Sequence, residues 1–133
     1  MILIVDDEPY IRESFRRFLT RAGHRVAEAR SVDEALRTLD AGGISAVVLD
    51  MLLPNSAGRS GLDVLESIRS DPSRADLPVL ILTGHALSPA VQQRATAMGA
   101  ELLRKPVEYQ ELIEKLERLL QQRSSNPEAD PAT

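Results

Sequence analysis

Polar side chains able to do phosphate chemistry stand at the ends of apolar runs in this chain. Asp6 and Asp7 follow Leu3-Ile4-Val5, Asp50 follows Ala46-Val47-Val48-Leu49, Thr83 follows Val79-Leu80-Ile81-Leu82, and Lys105 comes shortly after Leu102-Leu103. Carboxylates crowded together repel one another, and a hard divalent cation relieves that repulsion. Mg2+ suits one or two carboxylates, a carbonyl and waters, and it commonly supports phosphate chemistry. The Thr83 hydroxyl is suited to donate to a phosphoryl oxygen, and Lys105 supplies a compact cation for the same group. Gly84 keeps the approach beside Thr83 open to a donor. An aspartate placed beside a metal, a hydroxyl and an ammonium is set up as a nucleophile that forms an acyl phosphate.

These residues converge only if the elements before them share an edge. Strands are predicted near Ile2–Val5, Arg25–Ala29, Ala46–Leu49, Val79–Leu82 and Glu101–Leu103. Continuous Val/Ile/Leu runs of this kind mark strands buried on both faces. Between them lie helical patterns. Ile11, Phe15, Phe18, Leu19 and Ala22 recur at helical spacing before Gly23. Ser31 and Glu34 read as a capping box opening a helix with Val32, Ala35, Leu36 and Leu39 inward, ended by Ala41-Gly42-Gly43. A third helix starts near Gly61, buries Leu62, Leu65 and Ile68, and breaks at Asp71-Pro72. Ser88-Pro89 caps a fourth, with Val91, Ala95 and Met98 inward and Gly99 closing it. The fifth carries Leu112, Ile113, Leu116, Leu119 and Leu120. Strict β/α alternation implies a parallel sheet with helical crossovers on both faces, the doubly wound α/β class. Parallel strands put their C-terminal ends on one edge, where such sheets bind ligands.

At 133 residues the chain reads as one domain, and 43% hydrophobic and 27% charged residues are ordinary for a globular protein. A net charge of −4 gives no attraction to nucleic acid, and Arg12, Arg16 and Arg17 are spaced as a solvated helix face. Without cysteine there is neither a disulfide framework nor thiolate chemistry, which suits the cytoplasm. No signal peptide is read at the start, and no apolar run is long enough to span a bilayer. Residues 122–133, with two prolines and no large apolar side chain, read as a disordered tail or linker beyond a domain of residues 1–121. His24 reads as structural and His85, two residues past Thr83, as solvent-facing. Tyr109 is a candidate for a partner surface on the last helix.

Five motifs in this order carry a family resemblance: Val5-Asp6-Asp7-Glu8-Pro9, Leu49-Asp50-Met51-Leu52-Leu53-Pro54, Gly61-Leu62-Asp63-Val64-Leu65, Leu82-Thr83-Gly84 and Lys105-Pro106. Over residues 1–121 the chain resembles the receiver domains of two-component response regulators, of the CheY-like type. The resemblance implies a flavodoxin-like (βα)5 fold with strand order 2-1-3-4-5. It implies that Asp50 is the phosphoacceptor, charged by a histidine kinase, a histidine phosphotransfer protein or a small phosphodonor. It further implies that Asp7 binds Mg2+ directly, Asp6 acts through water, and the Leu52 carbonyl completes the ligands with Asp50. Thr83, Gly84 and Lys105 would surround the phosphoryl oxygens, and Lys105-Pro106 would be a cis peptide.

Two positions depart from the family pattern. Leu102 stands three residues before the lysine, where receivers commonly carry a switching aromatic. The stretch from Pro54 to Gly61 is a few residues longer than the usual loop. The reading is of a stand-alone receiver that catalyses only its own phosphorylation and dephosphorylation and regulates an output protein, with no direct DNA binding and no membrane insertion. A receiver belonging to a larger regulator or hybrid kinase is the alternative. A phosphatase of the haloacid dehalogenase type would need an aspartate where Leu52 stands, and a flavin-binding flavodoxin would need a phosphate loop after the first strand.

Overall fold

The computed structural model describes residues 1–54, 56–84 and 87–125. Five strands alternate with five α-helices: β1 (Ile2–Val5), α1 (Pro9–Arg21), β2 (Val26–Ala29), α2 (Val32–Ala41), β3 (Ala46–Asp50), α3 (Gly61–Ser70), β4 (Val79–Thr83), α4 (Pro89–Ala97), β5 (Glu101–Arg104) and α5 (Tyr109–Ser125). A short 3-10 turn, Pro72–Arg74, follows α3. The strands form one sheet in the order β2-β1-β3-β4-β5, and every pair is parallel. This is the flavodoxin-like arrangement.

Alternation along the strands divides the core into two layers. Leu3, Val5, Val47, Leu49, Val79 and Ile81 pack with Val32, Ala35, Leu39, Val64, Leu65, Ile68 and Ala95 of α2, α3 and α4. Ile2, Ile4, Val48, Leu80 and Leu82 pack on the other face with Phe15 and Leu19 of α1 and Leu112, Ile113 and Leu116 of α5. Side chains one residue apart in a strand point to opposite faces, so an unbroken apolar run feeds both layers. The order of the strands brings the C-terminal ends of β1 and β3 together at the middle of one edge, with β4 and β5 beside them.

The helix ends show where local pattern and structure part. Ser31 Oγ accepts from the Glu34 amide at 3.2 Å, but the Glu34 carboxylate is held by Arg30 Nε at 2.8 Å. The capping box expected at α2 is therefore half formed, because a neighbouring guanidinium outcompetes the backbone amide for the carboxylate. A reciprocal box is present instead at α3, where Asp63 Oδ2 accepts from the Ser60 amide at 2.6 Å and Ser60 caps the helix. Helix α4 begins at the Ser88 cap, whose hydroxyl accepts from the Val91 amide at 3.3 Å, with proline at the first position. Only Ala95 of α4 is fully buried; Val91 and Met98 are half-buried. Helix α5 continues through Ser125, so residues 122–125 are helical where composition suggested the start of a tail. The rest of that tail, and His85, lie outside the described residues.

Candidate functional site

Each candidate side chain owes its place to a strand end. Asp50 is the last residue of β3 and Thr83 the last of β4; both are buried, at 7% and 8% exposure. Asp6, one residue past β1, is 2% exposed. Lys105 follows β5 directly, and its amide donates to the Thr83 carbonyl at 2.8 Å, which extends the β4–β5 pairing by one step. The Lys105–Pro106 peptide is cis.

The carboxylates of Asp6, Asp7 and Asp50 each place an oxygen within 4.8 Å of the others. Lys105 Nζ lies 3.2 Å from Asp50 Oδ2 and 3.6 Å from Asp6 Oδ2. These groups line an open depression of about 310 Å3 with Glu8, Leu52, Pro54 and Gly84. A Cβ on Gly84 would sit 3.9 Å from the Lys105 side chain, an ordinary contact. Leu52 sends its side chain outward, 56% exposed, while its amide donates to Asp50 Oδ1 at 3.2 Å. Leu102, opposite Ile81, is half-buried against the layer formed with α2, α3 and α4. Thr83 and Leu102 therefore belong to adjacent strands, with Leu102 two positions back from the register partner of Thr83, Arg104.

The electrostatics follow from crowding in a partly dry site. Burial raises the Asp50 pKa, the Asp6 carboxylate raises it further, and Lys105 together with the Leu52 amide pulls it back without cancelling the rise. Burial by itself would lower the Lys105 ammonium, but Asp50 and Asp6 outweigh it and the net shift is upward. One cation thus answers several carboxylates.

The residues present fit a divalent cation. Asp6 Oδ2 is buried and accepts no hydrogen bond from the described residues, and the Lys105 ammonium 3.6 Å away is shared with Asp50, so a second cation would complete the carboxylates' partners. An all-oxygen donor set with several carboxylates and open space for water is the chemistry of Mg2+ rather than of a soft metal. Asp6, Asp7 and Asp50 are the side chains that would hold it.

Three residues at this edge have roles that sequence periodicity did not show. Arg12 of α1, read from its spacing with Arg16 and Arg17 as a solvated helix face, is instead 15% exposed and donates from Nη1 to the Asp6 carbonyl at 2.7 Å, because the first turn of the helix faces the end of β1. Ser56, 2% exposed in the long loop after β3, accepts from the Val32 amide at the start of α2 at 3.0 Å. Gly61, read as a helix start, also packs directly on the backbone of Asp50.

Fold and site together define a phosphoacceptor domain of Mg2+-dependent two-component signalling. The family model for the response regulator receiver domain matches residues 2–117, and the chain belongs to this family. It is 35% identical over 133 residues to the response regulator MprA of Mycobacterium sp. (strain KMS), a match covering 98% of this chain and 54% of that protein. The chain spans about half the length of the curated relatives it matches. Among solved structures, the receiver domain of NtrX from Brucella abortus matches with a TM-score of 0.79 at 31% identity, covering 91% of this chain and 98% of that one. The signal receiver domain of a signal transduction histidine kinase from Syntrophus aciditrophicus matches with a TM-score of 0.82 at 26% identity, covering 99% and 98%. No helix among the described residues is long and apolar enough to cross a membrane.

Proposed function

We propose that Asp50 is the phosphoacceptor, that Asp6, Asp7 and the Leu52 carbonyl complete the Mg2+ site with it, and that Thr83 and Lys105 read the phosphoryl group. The observation that carries this reading is Asp50 itself. It is a buried carboxylate at the centre of the edge, 3.2 Å from the Lys105 ammonium and grouped with two further acids. Asp50 attacks phosphorus through a carboxylate oxygen. That O–P bond forms as the bond to the donor's imidazole nitrogen or acyl oxygen breaks, and the electron pair leaves with the donor. Mg2+, when bound, neutralises charge shared between donor and acceptor oxygens. Lys105 is placed to take a phosphoryl oxygen as a fixed counter-charge. Water later attacks phosphorus and returns the carboxylate.

The phosphoryl source in this reading is a phosphohistidine on a histidine kinase or phosphotransfer protein, or a small acyl phosphate. The signal is a change in partner binding at an output protein, in the cytoplasm. The same chemistry serves a receiver acting alone or one joined to an output domain. Incubation with Mg2+ and acetyl phosphate should add one phosphoryl group, mapped to Asp50 and absent from Asp50→Asn. Phosphate mapped to Asp6 or Asp7 in the wild type would overturn the assignment.

A further inference from the structure

We propose that Arg12 is a positioning residue for the metal ligands: its guanidinium, held by Glu28 on the neighbouring strand, locks the backbone of Asp6 and so sets the turn that carries both Asp6 and Asp7. The inference rests on the reading that these acids and Asp50 hold Mg2+.

The polar groups of Asp6 can be accounted for one by one. Its amide donates to the Ala29 carbonyl at 3.0 Å, its Oδ1 accepts from the Glu8 amide at 2.9 Å, and its carbonyl accepts from Arg12 Nη1 at 2.7 Å. The remaining oxygen, Oδ2, is buried without a hydrogen bond among the described residues and meets Lys105 Nζ as an ion pair at 3.6 Å. Hydrogen bonds from the described residues thus fix every polar group of Asp6 except the oxygen that faces the site.

Arg12 makes the hydrogen bond in this set that comes from a side chain outside the turn. Helix α1 starts at Pro9, and its N-cap, Glu8, makes no side-chain cap. The hold on the turn comes from the helix's own first turn, through Arg12. Its side chain is 15% exposed, and Nε lies 3.5 Å from Glu28 Oε1. Glu28 sits on β2 in register with Ile4 and is met from the other side by Arg16 at 3.4 Å. A planar guanidinium can donate to a carbonyl and a carboxylate at once, whereas an ammonium lacks the fork that serves both in fixed directions.

Two effects of Arg12 on Mg2+ oppose each other. Its charge repels a dication, while its hydrogen bond preorganises the ligands. The Glu28 carboxylate beside it offsets the charge, so preorganisation should win. The sign of the effect on Mg2+ affinity separates the two: repulsion predicts tighter binding once Arg12 is gone, positioning predicts weaker.

The experiment is a Mg2+ titration of wild type, Arg12→Met, Arg12→Lys and Glu28→Gln, followed by the amide chemical shifts of Asp7 and Leu52. Removing partners that orient metal ligands typically costs about 10- to 100-fold in affinity, and Arg12→Met should fall in that range, with Arg12→Lys and Glu28→Gln weakened less. Phosphorylation by acetyl phosphate should show a raised half-saturating Mg2+ concentration with a near-normal rate at saturating Mg2+. Melting with chelator and with Mg2+ adds a second readout: a merely structural role lowers both temperatures equally, whereas positioning also shrinks the gap between them. If Arg12→Met fails to fold, Arg12→Lys decides, because it keeps the charge and loses the fork: weaker binding supports the inference and wild-type affinity overturns it. Unchanged or tighter binding in a folded Arg12→Met overturns it while leaving the metal site standing. Absence of Mg2+ binding by the wild type overturns both.

Discussion

Gly61 lies against Asp50 so closely that a Cβ on it would stand 2.5 Å from the Asp50 carbonyl oxygen and 3.0 Å from Met51 Cα. The Gly61 amide donates to the Met51 carbonyl at 2.9 Å, which ties the start of α3 to the residue after the acceptor. Both obstructing atoms are backbone, so no rotamer change relieves the contact. Gly61→Ala should therefore cost about 1–3 kcal/mol of stability, the usual range for overpacking, and slow the phosphorylation of Asp50. A urea melt and a timed acetyl phosphate reaction measure both, and wild-type values in the two assays would show that the backbone yields freely.

Asp50→Asn should remove phosphorylation and, without metal, stabilise the fold at neutral pH. The Asp50 pKa is raised in the native state. The folded protein therefore takes up this proton at higher pH than the unfolded chain does. Its effect is a cost above the folded pKa that disappears as pH falls through that value. Thermal melts in chelator should show the variant more stable at pH 7, with the advantage shrinking on acidification. A variant less stable than wild type at pH 7 would contradict the electrostatic account.

Thr83→Ala and Lys105→Ala should still accept phosphate while responding to it weakly. Phosphorylation adds about −1.5 to −2 charges at neutral pH, placed in this reading beside the Lys105 ammonium. Loss of that cation removes the differential contact which lets phosphate favour one conformation. Partner capture with and without phosphate is the measurement, and full phosphate dependence in both variants would remove them from the readout.

Leu102 bears on where the change travels. The phosphoryl group would draw Thr83 inward, and a leucine has no hydroxyl whose burial could distinguish two rotamers. The change should be carried by the chain after Gly84 and by α4, which is anchored in the core by Ala95. Amide shifts on phosphorylation or with beryllofluoride should concentrate between residues 84 and 105. Shifts confined to the loop 54–61 would place the output on the opposite side.

Ser56→Ala should leave the buried Val32 amide without its 3.0 Å acceptor. An unsatisfied buried donor costs about 1–3 kcal/mol, and hydrogen exchange at the start of α2 should quicken. Unaltered exchange there would mean that the loop does not hold the helix.

Sequence alone determined the alternation of elements and the chemistry available at the strand ends, because both are local. Short, β-branched apolar runs such as Ala46–Leu49, set between helical patterns, read as interior strands, and parallel strands must gather their C-terminal ends on one edge. Asp6, Asp7, Asp50, Thr83 and Lys105 could therefore be set together from spacing and motif. Tertiary structure decided what depends on distances between segments far apart in the chain. Arg12 reaching the Asp6 carbonyl, where its spacing suggested a solvated face, Ser56 capping α2 and Gly61 packing on Asp50 are each set by how two elements meet. The capping of α2 makes the same point within a few residues. The Ser31–Glu34 pattern offered a reciprocal pair, and the nearby Arg30 guanidinium took one half of it, because a carboxylate binds a charged donor more strongly than a backbone amide.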